Sequence, residues 1–256
     1  MKKLLFWMVL IVGIVALMGS CKKDEETATT AASTPCGNMT EVTSCSGTPS
    51  GSITGIDNIT LTGVFSVMHY YGIIGTSGFD NETDCISGAS TLSSMESRIG
   101  KPTGAVGLIM NYAVTSCSSF ADRVMWYSDT SCSTEIAQYI LGYADVAVGD
   151  NVTGLTTSVG DDTYSSTATK VTYNASCIGM KGSSDAGVTW LKTFLGSAAV
   201  NPTVGTSHAC SATGGKYALM HLDNVSILGT KLEWEESSSA QPTAWSSDTD
   251  SLTFLP

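Results

Sequence analysis

Ile59-Thr60-Leu61-Thr62-Gly63-Val64-Phe65-Ser66-Val67-Met68-His69-Tyr70-Tyr71 is the stretch whose reading decides the fold. Ile59, Leu61, Phe65, Val67 and Tyr71 fall on one face, with Gly63 and His69 among them, while Thr60, Thr62, Ser66 and Tyr70 alternate on the other. Successive strand residues point to opposite faces, so a two-residue period reads as a β-strand with one face in a core. Working outward, β-like runs recur at residues 105–116, 120–127, 135–148, 152–158, 167–176, 216–222 and 225–235, divided by Gly, Asn, Asp and Ser. Residues 252–255 add an edge. Short runs at this spacing predict an all-β domain, a mainly antiparallel sandwich or barrel. Asp57-Asn58 and Asp223-Asn224, each before a β-branched residue, read as strand starts following turns.

One stretch breaks the pattern. Ser184 or Asp185 suits an N-cap, Val188, Leu191, Phe194 and Leu195 recur at helical spacing, and Gly196 supplies a stop. This predicts one short amphipathic helix near 184–196 that covers a sheet or a barrel opening. Residues 90–99 leave room for a second short helix.

The N-terminus has a different grammar. Lys2 and Lys3 precede an almost wholly apolar run, and Leu17-Met18-Gly19-Ser20 places small residues just before Cys21. This resembles a bacterial lipoprotein signal peptide. The apolar run, about 15 residues, is short of the ~20 that span a bilayer, which argues against a transmembrane helix. The resemblance implies removal of residues 1–20 as a signal helix, lipid on the Cys21 thiol and amine, and an anchor in the bacterial cell envelope. Lys22, in place of an inner-membrane retention aspartate, points by the same analogy to the outer membrane. Residues 21–35 have no apolar periodicity and read as the lipidated cysteine and a flexible tether, leaving 36–256 as a single domain.

Charge narrows the partners. The whole chain carries −11, and loss of Lys2 and Lys3 leaves ten basic side chains against 23 acidic ones. That excludes nucleic acid and anionic-lipid surfaces, which require clustered Lys and Arg. Eight cysteines include Cys21, leaving Cys36, Cys45, Cys85, Cys117, Cys132, Cys177 and Cys210. An exported compartment is oxidising, so bridges are expected, at most three, with one thiol left over. Cys117 and Cys132 bracket the 120–127 strand and would staple strand ends if the fold joins them. No CxxC pair suggests zinc, and no metal or cofactor is expected. Asp80, Glu82 and Asp84 alternate, but lack the glycine and distal glutamate of a calcium loop, so they read as an acidic turn.

Tyr127-Ser128-Asp129-Thr130-Ser131-Cys132 leads to Gly142-Tyr143 and Val148-Gly149. Asn174, Cys177, Gly179, Trp190, Cys210, Tyr217 and Leu228-Gly229 follow in turn. This order resembles lipocalin-like extracytoplasmic domains of the adenomatosis polyposis coli down-regulated type. The chain departs from that pattern at Ile178, between Cys177 and Gly179, and at Gly63-Val64-Phe65, where lipocalins carry Gly-x-Trp. The resemblance implies an antiparallel barrel or half-barrel, a Cys177–Cys210 bridge enclosing the Trp190 helix, a bridging role for Cys132, and non-catalytic binding of an apolar ligand or partner at the barrel mouth. Phe65, Tyr71, Trp126, Tyr139, Tyr143 and Trp190 are the pocket-lining candidates, set against the ordinary fate of aromatics, which is to fill the barrel. Cys45 and Cys85 complete the bridge candidates.

Other constellations carry less chemistry. Gly205-Thr206-Ser207-His208-Ala209 looks like the serine motif of subtilisin-type proteases, without its following proline or an upstream His-Gly-Thr. Met68-His69 and Met220-His221 offer copper-type donors, but adjacent strand residues face opposite ways. The sequence therefore predicts a membrane-anchored, exported, non-catalytic lipoprotein that binds a hydrophobic small molecule or an envelope protein. A structural or adhesive surface protein with a filled core is the alternative, and an envelope enzyme a weaker one.

Overall fold

The computed structural model describes residues 34–66, 85–159, 162–196, 200–225, 229–246 and 250–254. Cys21, the signal segment, Tyr71, Met68-His69 and the Asp80–Asp84 turn lie outside them.

The two-residue alternation becomes thirteen strands among the described residues. They are β1 (Ser52–Ile56), β2 (Ile59–Thr62), β3 (Val64–Ser66), β4 (Gly107–Ser116), β5 (Ser119–Tyr127), β6 (Glu135–Thr153), β7 (Ser158–Val159), β8 (Asp162–Thr163), β9 (Thr167–Gly182), β10 (Ser207–Ser211), β11 (Gly215–Val225), β12 (Gly229–Ser237) and β13 (Asp250–Phe254). Two helices accompany them, α1 (Ala89–Ile99) and α2 (Asp185–Phe194).

Nine strands form one sheet whose pairings are all antiparallel. The order β3-β4-β5-β6-β9-β11-β12-β13 follows the chain, each strand beside its successor in the series. The row returns on itself where β13 meets β3 through Thr253↔Ser66 and Phe254↔Phe65. The wall is thus a meander half-barrel from β4 to β12, closed by this short seam. Closure removes open edges, which otherwise invite strand addition from other chains. β10 shares one edge of β9 with β11, taking Cys177 to Lys181 while β11 takes Thr169 to Asn174.

The stretch read as one strand from Ile59 is broken at Gly63, whose φ of 78° is the left-handed region open to glycine. Leu61 and Phe65 are buried on the predicted face. Asp57 and Asn58 are themselves the turn of the β1–β2 hairpin, at φ 49° and 59°, rather than the start of a strand. Two positive φ values in a two-residue loop match the right-handed twist of a hairpin. Asp223-Asn224, by contrast, lies inside β11.

Both ends of the barrel are closed by the chain. At one end the β1–β2 hairpin buries Ile53, Ile56 and Leu61 beside Phe65, Phe120, Met220, Leu232 and Trp234. At the other end α2 lies over Trp126 and Tyr139, through Trp190 and Phe194. Ser184 caps α2 by accepting from the Gly187 N–H at 3.2 Å, as its sequence suggested. Gly187 is dictated by close approach, because a Cβ there would stand 2.1 Å from the Ile136 carbonyl oxygen. The Trp190 indole donates to the Ile99 carbonyl at 3.0 Å and so ties α2 to the end of α1. The second short helix for which residues 90–99 left room is present as α1.

A second small core lies outside the wall. Ala168 and Leu219 face outward and are covered by Leu155, Tyr164 and Trp245. The Trp245 indole donates to the Ser165 carbonyl at 2.6 Å.

Candidate functional site

The inner faces of β3, β4, β5, β6, β9 and β12 bring aromatics to one place. Phe120 packs on Tyr143 at 4.7 Å, Tyr173 at 5.0 Å and Trp234 at 5.5 Å, and Tyr112 packs on Phe65 at 5.2 Å and Trp234 at 5.4 Å. Offset and edge contacts at these separations are favourable aromatic geometries. Of the pocket-lining candidates, Phe65, Trp126, Tyr139, Tyr143 and Trp190 are all buried, and each lies in ring contact with another aromatic. They face inward as predicted, but they fill that part of the barrel rather than line a space in it. The gap under the β1–β2 hairpin, among Ile53, Phe65, Phe120 and Trp234, is about 10 Å³, room for one water at most.

Polar groups are threaded through this aromatic core. Lys216 extends inward from β11, and its Nζ lies 2.8 Å from Glu236 Oε1 of β12. The Tyr173 hydroxyl donates to the other Glu236 oxygen. Asp122 faces inward from β5, between Tyr112 and Leu141 in register. Burial, then the nearby Glu236, push its carboxyl up to about 7. Burial also raises the Tyr139, Tyr143 and Tyr173 phenols well above their ordinary range, with nearby acidic groups adding to it. These phenols therefore remain neutral donors. The sequence reading did not single out Asp122, Lys216 or Glu236, and nothing in the linear pattern paired Lys216 with Glu236.

An N-terminal strap, residues 36–51, starts in the core at Cys36, runs along the edge of β10 and then crosses the outside of the wall. Cys36 is bridged to Cys210 of β10 and Cys45 to Cys177 of β9. Between them the Val42 N–H donates to the Ala209 carbonyl at 2.9 Å, and the Ser211 N–H donates to Thr40 at 2.7 Å. Further along, Arg123 of β5 donates from Nη1 to the Gly47 carbonyl at 2.9 Å and from Nε to Asn111 Oδ1 at 2.7 Å. The Ser50 N–H reaches the Val114 carbonyl of β4 at 2.9 Å. The third bridge, Cys85–Cys132, fastens the start of the α1 segment to the β5–β6 turn. Asp129 builds that turn by accepting from Ser131, Ser133 and Thr134, interactions that hold its carboxyl below the usual range.

These bridges correct two expectations. Cys177 and Cys210 do not join each other, because the register sets Cys210 opposite Ile178 and Cys177 opposite Ser211. Neighbouring register positions point to opposite faces of a sheet. Cys117 and Cys132 do not join either, because they occupy the turns at opposite ends of β5, whose nine residues span about 30 Å. Cys132 is a bridge member as the resemblance implied, and Cys117 is the leftover thiol, exposed in the β4–β5 turn.

An open groove of about 360 Å³ runs between the strap and the wall, lined by Glu41, Val42, Ser44, Gln138, Lys181, Ser207 and His208 among others. Lys181 is held there by Glu135, whose Oε1 lies 2.9 Å from its Nζ. Ser207 and His208 thus share a groove with a carboxylate. The His208 ring nitrogen Nε2, however, already accepts the Thr203 N–H at 3.1 Å, and consecutive residues of β10 face opposite ways. A nucleophile and its base must stand within hydrogen-bond reach of each other, and this arrangement does not supply that. His221 lies elsewhere, with Nδ1 3.0 Å from Asp57 Oδ2, while Met220 points inward as strand alternation requires. Asp57 also accepts the Leu222 N–H at 2.9 Å, which seats the hairpin turn on β11. Among the described residues no three His, Cys, Asp or Glu side chains gather as metal ligands, and no helix is long and apolar enough to cross a membrane.

No protein-family model matches the chain, and no curated protein is detectably similar to it in sequence.

Proposed function

We propose that the chain is an exported lipoprotein, anchored through acylated Cys21, that acts without catalysis by presenting the outside of its barrel to an envelope or surface partner. The observation that carries this reading is the occupied interior. Phe120 sits in contact with Tyr112, Tyr143, Tyr173 and Trp234, so that part of the barrel holds the protein's own rings where a lipocalin would hold a ligand. A ligand pocket for a drug-sized molecule needs at least ~300 Å³. A space of that order among the described residues is the outer groove beside the strap. Three bridges suit an oxidising compartment, which supports export.

Native mass spectrometry of the full chain, released from membranes in mild detergent, tests both halves. The reading expects a chain starting at a triacylated Cys21 and no further stoichiometric adduct. A tightly held lipid-sized adduct that persists through delipidation of the detergent micelle would replace surface recognition with interior ligand binding. An intact Met1 terminus would remove the anchor.

A further inference from the structure

Among the described residues the barrel interior holds two carboxylates and one ammonium group. Glu236 is satisfied twice, by Lys216 at 2.8 Å and by the Tyr173 hydroxyl. Asp122 comes from the opposite wall and has no cation beside it among the described residues that face inward. Arg123, next along β5, faces outward, where Asn111 and Gly47 hold its guanidinium. The other titratable groups beside Asp122 among the described residues are Tyr112 of β4 and Tyr139 and Tyr143 of β6, all phenols. With both carboxylates ionised, the interior would carry one uncompensated negative charge walled in by aromatic rings. An isolated ion in such surroundings costs several kcal/mol, and the group takes up a proton instead.

We propose that the Asp122–Glu236–Lys216 cluster is a proton-dependent latch: one proton, held on Asp122, keeps the barrel tight in mildly acidic conditions, and its loss as the pH rises to neutrality loosens the wall.

Glu236 has both the ammonium and the phenol donor to balance its charge. Asp122 is the member that takes the proton, and its elevation to about 7 agrees with this assignment. The sign follows from linkage. A carboxyl raised in the folded state binds more protons folded than unfolded between its unfolded value of 3.8 and its folded value of about 7. Stability from this group therefore falls as pH rises through that window and levels off above it. Between pH 5 and pH 8 the folding constant should drop on the order of a hundredfold.

The experiment uses the full chain in mild detergent, with urea unfolding followed by tryptophan fluorescence at pH 5 and pH 8. Asp122→Asn copies the protonated carboxyl, so it should lack the hundredfold drop that the parent protein shows. The same drop in both proteins would overturn the latch. Carbon-13 titration of the Asp122 carboxyl in the parent protein gives an answer that needs no variant. A midpoint near neutrality supports the proposal, and one in the ordinary carboxylate range refutes it. In Glu236→Gln the freed Lys216 should lower the Asp122 midpoint, a response that simple loss of packing would not produce. An unchanged midpoint there would also overturn the shared cluster.

Discussion

Removing the Cys45–Cys177 bridge should cost most of the strap's hold on the barrel, and its size follows from the nesting of the bridges. Cys36–Cys210 encloses Cys45–Cys177, which encloses Cys85–Cys132, with separations of 174, 132 and 47 residues. A lone cross-link across 132 residues would reduce denatured-state entropy by the equivalent of about 5 kcal/mol. With Cys36–Cys210 already closed, the middle bridge newly defines a ring of only roughly 40 residues, which lowers the figure to about 4 kcal/mol. The double substitution Cys45→Ala with Cys177→Ala removes the bridge without leaving a reactive partner thiol. In urea, with a slope of about 2 to 3 kcal/mol per molar for a domain of this size, the midpoint should fall by about 1.3 to 2 M. Equilibrium unfolding of the oxidised protein, read by tryptophan fluorescence, gives that number directly. A fall below about 0.5 M at unchanged slope would refute the reasoning, since Cys36–Cys210, the backbone hydrogen bonds and the Arg123 contact would then hold the strap without the middle bridge.

Other perturbations probe the parts separately. Phe120→Ala empties the centre of the aromatic cluster and should cost about 3 to 5 kcal/mol, measured by the same unfolding curve, with loss of near-ultraviolet circular dichroism. Gly187→Ala drives a methyl group to 2.1 Å from the Ile136 carbonyl, so α2 must lift from the wall. The expected cost is about 1 to 3 kcal/mol, with a red shift of Trp190 emission. Ser184→Ala removes the cap of α2 and should cost about 1 kcal/mol with no change in Trp190 emission. Cys117→Ser should leave stability within about 0.5 kcal/mol and abolish labelling of the native protein by a thiol reagent.

The class of the fold was legible because alternation survives single positions, whereas the bridges were not, because they depend on register. The 107–116, 119–127 and 135–153 strands and the α2 helix stand close to where their periodicity placed them. At Ser176 the linear pattern fails. β9 continues to Gly182 past an irregularity between Gly142↔Cys177 and Tyr143↔Ala175, so the inward set changes from Val171, Tyr173 and Ala175 to Ile178 and Met180. An extra residue in a strand turns every later side chain to the other face. That shift decides which way Cys177 points, and with it the partner of Cys210. The inward direction of Phe65, Trp126, Tyr139 and Tyr143 was readable from alternation. Whether their rings leave a cavity depends on diameters and cross-barrel distances, which no single strand encodes. The strap was missed for a related reason: its partners lie from 65 residues away, at Ser50, to 171 residues away, at Thr40, and it shows no periodicity of its own.

The account rests most directly on the link between export and the strapped barrel. A peptide map of the unreduced protein recovered from membranes tests it at every cysteine. The account predicts Cys36 linked to Cys210, Cys45 to Cys177 and Cys85 to Cys132, with Cys117 alone open to alkylation and Cys21 carrying acyl chains. A Cys177–Cys210 linkage, or seven free thiols behind an unmodified Cys21, would contradict it.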